Sequence, residues 1–173
     1  MSNKTIVFSF VADDKPGIVS LLATLVKENK GNWLESELSH LQTLFAGIVS
    51  VSINENDILQ LKTALEKLQK DGINIVRFEV IDEPLSKTVS HRLELIGPDR
   101  AGIIQEVSQA LAGMAVNILS MKTKIASAPM SGEVLFEADI RFSHAKTNED
   151  ELAAKLDEIA EKLTLDVSLS SDE

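Results

Sequence analysis

Cysteine is absent from the 173-residue chain. Disulfides, thiolate nucleophiles, cysteine-type zinc sites and iron–sulfur clusters are therefore excluded, and the absence fits a reducing compartment. Basic residues are in short supply: 17 Lys and Arg stand against 27 Asp and Glu, a formal charge of −10. A phosphate backbone repels such a chain unless a basic patch is concentrated somewhere. The densest short basic stretch is Lys122 and Lys124, so no direct nucleic-acid binding is expected. Long apolar runs are missing too. The richest, Ile18 to Val26, is broken by Ser20 and Thr24, far short of a bilayer span. The first ten residues lack the apolar core of a signal peptide. A soluble, cytoplasmic protein that makes no membrane contact is the expectation.

Catalytic signatures are lacking as well. The chain has no phosphate-binding loop followed by Lys-Ser/Thr, no G-x-G-x-x-G after a strand and no G-x-S-x-G elbow. His40, His91 and His144 are far apart and belong to no metal-spaced motif; each is read as a satisfied or exposed strand-end histidine. The acidic run Glu149-Asp150-Glu151 reads as a solvated helix start favoured by the dipole. No enzyme activity, metal or cofactor is expected.

What the chain does have is a repeat. Phe10-Val-Ala-Asp-Asp14-Lys-Pro-Gly17-Ile-Val aligns without a gap on Leu95-Ile-Gly-Pro-Asp99-Arg-Ala-Gly102-Ile-Ile, at an offset of 85. The offset persists to Asn32-Trp-Leu and Asn117-Ile-Leu. Beyond that point the second copy reads as two residues longer, with Val49-x-Val51-x-Ile53 returning as Phe136-x-Ala138-x-Ile140.

Each copy carries the same order of patterns. Ile6, Phe8 and Phe10 alternate as a strand, as do Leu93 and Leu95. A short loop with Asp and Gly follows. Then Ile18, Val19, Leu22, Leu25 and Val26 mark a helix face, matched by Ile103, Ile104, Val107, Ala110 and Leu111. Pro16 suits a first helical position, where its missing N–H costs nothing. A second strand follows Asn32 and Asn117. The third strand has one wet face, with Glu137, Asp139 and Arg141 between apolar positions. A second helix runs through Ile58, Leu61, Leu65 and Leu68, and through Leu152, Leu156, Ile159 and Leu163. Asn56 or Asp57 can cap the first of these, and Thr147-x-x-Asp150 resembles a cap for the second. Strands near Ile73–Ile81 and Leu165–Leu169 close the copies.

The order β-α-β-β-α-β, twice, predicts an α+β chain of two tandem ferredoxin-like domains, each an antiparallel sheet with both helices on one face. Residues 1–83 form the first domain, 84–88 a linker around Pro84, and 89–173 the second. A domain of about 80 residues buries only roughly 60–65% of its unfolded surface. The copies are therefore expected to dock on each other or on a second chain, a homodimer being one such form.

Asp14-Lys-Pro16-Gly17-Ile18 with Asn32, and Asp99-Arg-Ala101-Gly102-Ile103 with Asn117, resemble the ACT domain, a regulatory module that commonly senses amino acids. Two such domains filling the chain with no enzyme attached resemble the repressors of glycine-cleavage transcription, bacterial regulators that bind a transcriptional activator. The resemblance implies an amino-acid sensor, with glycine the first ligand to consider and a transcriptional activator protein as partner. It also leaves open an ACT-type interaction module, or a regulatory subunit of a separate metabolic enzyme, without ligand sensing of its own. By the same resemblance, ligand-binding residues are Asp14, Pro16, Gly17, Ile18 and Asn32 in copy one, and Asp99, Ala101, Gly102, Ile103 and Asn117 in copy two. The family's ligand commonly sits where one domain's loop meets the second-strand start of a neighbour, which pairs the Gly17 loop with Asn117 and the Gly102 loop with Asn32.

The residues supply a physical reason. The loop leads into a helix N-terminus, whose first N–H groups lack intrahelical partners and carry partial positive charge. A glycine there lets a carboxylate approach them, and an ammonium group needs an acceptor such as Asn32, Asn117, Asp14 or Asp99. The structural alternatives stay open: the glycines serve only the turn, the aspartates only the helix end, the asparagines only the strand start. Copy two lacks the proline, which makes it the candidate for a degenerate site.

Overall fold

The computed structural model describes residues 2–82, 90–114, 116–128, 132–143 and 149–172. The expected linker, Thr147 and His144 lie outside the described residues. The chain divides into two compact units, Met1–Leu85 and Ser86–Glu173.

The first unit runs β1 (Asn3–Asp13), α1 (Ile18–Glu28), β2 (Asn32–Leu41), β3 (Leu44–Asn54), α2 (Ile58–Lys67) and β4 (Ile73–Ile81). The second runs β5 (Ser90–Pro98), α3 (Ile103–Gly113), β6 (Asn117–Ser127), β7 (Val134–Ser143), α4 (Glu149–Leu163) and β8 (Asp166–Asp172). Each unit is a four-stranded antiparallel sheet, ordered β2-β3-β1-β4 and β6-β7-β5-β8. This is the expected ferredoxin-like arrangement, twice.

Period-2 alternation decides which face of each sheet is covered. On β1, Ile6, Phe8, Phe10 and Ala12 are buried with Val49, Val51 and Ile53 of β3, under Ile18, Leu22 and Val26 of α1 and Leu61 and Leu65 of α2. In the second unit Leu93 and Leu95 pack with Phe136, Ala138, Ile140 and Phe142, under Ile103, Val107 and Leu111 of α3 and Leu152 and Leu156 of α4. Truncating one of the fully buried phenylalanines to alanine costs about 3–5 kcal/mol. His91 stands where the repeat puts Ile6. It is buried and stacks on Phe142 with ring centroids 5.6 Å apart. Trp33 of β2 packs on the first core, whereas its counterpart Ile118 is exposed.

Three local expectations are corrected. The second copy is six residues longer in the β2–β3 hairpin, not two. Phe8 pairs with Val49 and Leu93 with Ile140, so Val49 corresponds to Ile140 rather than to Phe136. A slip of four residues leaves every side chain on its own face, so alternation alone cannot detect it. Pro16 is not at a first helical position: Gly17 is the N-cap and α1 starts at Ile18, so Pro16 sits in the turn before it. Finally, neither Asn56 nor Asp57 caps by its side chain. Asn54 accepts the Asn56 N–H at 3.1 Å and caps the short 3-10 turn Glu55–Asp57 that leads into α2.

Candidate functional site

The loop Asp14–Gly17 joins β1 to α1. Its first residue is fixed to the sheet, since the Asp14 N–H donates to Thr43 O, at the tip of the β2–β3 hairpin, at 2.9 Å. Its last residue turns the chain into the helix. Gly17 has φ +94° and ψ −3°, a left-handed conformation in which a side chain costs roughly 1–2 kcal/mol. A Cβ built there would meet nothing within 4 Å, so glycine is required by torsion while the space beside it is open. The Gly17 carbonyl accepts the Leu21 N–H at 2.9 Å and starts the helix ladder. No side chain caps α1, and its first turn carries no acidic residue. The first-turn amides of α1 thus keep their positive end unneutralised. Asp14 is met from β2 by His40, with Nε2 3.4 Å from Oδ2, both about half exposed.

The second loop has the same backbone and a different decoration. The Asp99 N–H donates to Val134 O at 3.0 Å, and Gly102 has φ +88° and ψ −3°. Here Arg100 reaches over the turn and holds Glu106 by two hydrogen bonds, Nη1 to Oε1 at 2.7 Å and Nη2 to Oε2 at 2.8 Å. That bidentate bond, with the attraction of the guanidinium, keeps the Glu106 carboxyl below its ordinary range. Glu106 Oε1 is 4.0 Å from where a Cβ on Gly102 would stand. The Ile103 N–H is partly engaged by Arg100 O at 3.4 Å. In the first unit the equivalents of Arg100 and Glu106 are Lys15 and Leu21, so no such clasp forms. A hollow of about 400 Å³ adjoins the second loop, lined by Gly102, Ile104, Ile125 and Phe136 among others.

The expected site residues separate into two groups. Asp14, Pro16 and Gly17 are together and exposed, as are Asp99, Ala101 and Gly102. Ile18 and Ile103 are core residues, 7% and 3% exposed; only their amides can face a ligand. Asn32 and Asn117 are exposed first residues of β2 and β6, and each lies at the far end of its own sheet from the loop. Asn32 pairs with Ser52, and Ser52 with Thr5, eight residues before the end of β1. At the rise of a strand this is roughly 26 Å. Neither unit therefore brings its own asparagine to its own loop.

Two contributors escaped the sequence reading. His40 could have been inferred once β2 was placed beside the loop by its hairpin. The Arg100–Glu106 clasp spans a turn whose path must be known first.

Residues 4–79 match the ACT domain family model. No curated protein matches the chain. Among solved structures, the chain is similar to a protein of unknown function from Galdieria sulphuraria, at 27% identity and a TM-score of 0.86, covering 99% of this chain and 100% of that one. It is also similar to a protein provisionally assigned as a glycine cleavage system transcriptional repressor, at 17% identity and a TM-score of 0.74, covering 100% of this chain and 99% of that one; at this identity the likeness concerns the fold. The first unit is thus an ACT domain, the second repeats its fold strand for strand, and the chain is a tandem of two ACT-like units.

Proposed function

We propose that the chain is a regulatory protein without catalytic activity, which binds a small amino acid at the Gly17 loop and passes its occupancy to a partner protein. The observation that carries this reading is the open, uncapped start of α1 behind a left-handed glycine. Three first-turn N–H groups meet a carboxylate there, and Asp14 with its His40 neighbour offers an acceptor for the ammonium group.

The ligand is small, with glycine the first to test. With five heavy atoms at a ceiling of about 1.5 kcal/mol each, its binding is limited to roughly 7.5 kcal/mol, a Kd no tighter than a few μM. That range suits a sensor of an abundant metabolite. Binding that favours one conformation of the chain over another alters partner affinity. The likeness to the assigned repressor supports glycine-cleavage transcription as the regulated process, and the resemblance carried by the sequence motifs implies a transcriptional activator as the partner. The formal charge of −10 suits contact with a basic protein surface rather than DNA.

The test is a calorimetric titration of the protein with the amino acids, followed by a pull-down of the activator with and without the ligand found. Saturable heat and ligand-dependent capture are expected. Partner capture indifferent to every amino acid would leave an interaction module in place of a sensor.

A further inference from the structure

An imidazole stands beside the Gly17 loop, and strand register shows that the Gly102 loop has an aliphatic side chain in its place. At the loop end of the first sheet one row reads His40 on β2, Phe45 on β3, Ala12 on β1 and Ile73 on β4. The same row of the second sheet reads Ile125, Phe136 and Gly97, so Ile125 occupies the position of His40. Ala12 and Phe136 are buried, which sets both rows on the helix side of their sheets. His40 Nε2 lies 3.4 Å from Asp14 Oδ2, with about half of each side chain in water. Asp14 is the one charged group that the surrounding elements, among the described residues, turn toward this ring. The next row on the helix side is Leu38, Gly47, Phe10 and Ile75, the hairpin tip is Leu41-Gln-Thr-Leu44, and α1 carries no charge before Lys27. Asp13 follows buried Ala12 on an alternating strand and belongs to the opposite side. Lys15 Nζ stands 3.8 Å from where a Cβ on Gly72 would be. Gly72, with Lys70 and Asp71 before it, leads into β4, three strands from β2 and so roughly 14 Å away.

We propose that His40 is a positioning residue that makes the Gly17 site acid-sensitive, by competing with the ligand's ammonium group for the Asp14 carboxylate; this rests on the ligand reading above. A histidine side chain changes its charge between about pH 5 and 8. A neutral ring leaves the carboxylate of Asp14 to the incoming ammonium group. An imidazolium in the same place attracts that carboxylate and repels the ammonium group, so both effects weaken binding as pH falls. The pair is half exposed, and charges so well hydrated interact weakly. The loss is therefore modest, about threefold in affinity between about pH 7.5 and 5.5. The second loop has no such device, since Ile125 cannot titrate. The first unit thus reads proton concentration together with the amino acid.

The experiment measures the dissociation constant of the full chain by calorimetry at about pH 7.5 and about pH 5.5, with glycine or, should glycine be silent, with the amino acid of strongest heat. Glycine stays a zwitterion across that window, so the titrating group belongs to the protein. The wild type should bind about threefold more weakly at the lower pH. His40→Ile, which copies the second unit, should lose the pH dependence, and His40→Lys, charged throughout, should bind at both pH values as weakly as the wild type does in acid. His91 and His144 remain in these variants, so a pH dependence that came from them would persist in His40→Ile. Circular dichroism at both pH values checks the fold, and His40→Gln takes the place of His40→Ile if the latter fails to fold. A pH dependence unchanged by either substitution, or tighter binding in acid, would overturn this proposal and leave the ligand reading standing. Absence of heat with every amino acid at both pH values would overturn the ligand reading, and this proposal with it.

Discussion

At the start of α1 the space beside the Gly17 turn is open and the first turn carries no carboxylate. At the start of α3 the same backbone carries Glu106, clasped by Arg100 against the turn. The two glycines agree within 6° in φ, +94° and +88°, so the backbone that makes an anion site is common to both. Neither helix start is capped by a side chain; what differs is the Arg100–Glu106 pair standing beside the second turn. The second loop already has a carboxylate of its own, and an incoming one must compete with it for Arg100. We infer that the first unit holds the working site and that the second is hindered by its own Arg100–Glu106 pair.

Breaking the first loop has the largest expected effect. Gly17→Val places a β-branched residue at φ +94°, costs about 1–2 kcal/mol of stability and blocks the amides. Calorimetry should register complete loss of amino-acid heat. Gly102→Val imposes the same strain and serves as the matched control, with wild-type heat retained. Equal loss in both would erase the distinction between the units. Next in size, Glu106→Ala should free the second loop, and the titration should then show two ligands per chain in place of one, the added site using Arg100. A stoichiometry unchanged by Glu106→Ala would mean that the clasp is not what closes this loop.

A smaller contrast lies where the second helix of each unit turns into its last strand. The first unit has Gly72 at φ +82° and the second has Thr164 at φ +56°. Gly72→Ala should destabilise the protein by about 1 kcal/mol, and Thr164→Gly should stabilise it by up to about that amount, offset by backbone entropy. Urea titration measures both, and an opposite sign for either would show that neighbouring packing outweighs torsion there. The smallest effect concerns acid. Glu106 is held below its ordinary pKa of 4.5 by Arg100. A carboxyl lowered in the folded state contributes stability above its unfolded pKa and loses it as pH falls through the folded value. The pair is exposed, so the contribution is slight. Glu106→Ala should flatten the acid limb of stability measured between pH 5 and 2, and a steeper limb would contradict the assignment.

The element order, the helical faces and the alternating cores were legible because burial imposes periods that survive in residue type: Ile6, Phe8 and Phe10 on β1, and Leu152 and Leu156 on α4, are where their spacing places them. The hairpin slip was illegible because the period of a strand is two and the error was four residues. The cap at Asn54 was missed since a 3-10 turn intervenes before α2. In the site, the glycine turns were visible twice over in the repeat. The distance from Asn32 to the Gly17 loop was not, because antiparallel pairing sends the start of β2 to the opposite end of the sheet, a property of topology rather than of any residue. The Arg100–Glu106 clasp depends on the curl of a turn that leaves no periodic trace.

The central claim, that the amides behind Gly17 receive a small amino acid while those behind Gly102 do not, is tested most directly by following backbone amide resonances during a titration with glycine. Saturable shifts at Gly17, Ile18, Val19 and Ser20, with the amides of Gly102 to Gln105 unmoved, are predicted. Shifts confined to the second loop, or none in either with glycine or any other amino acid, would contradict the account.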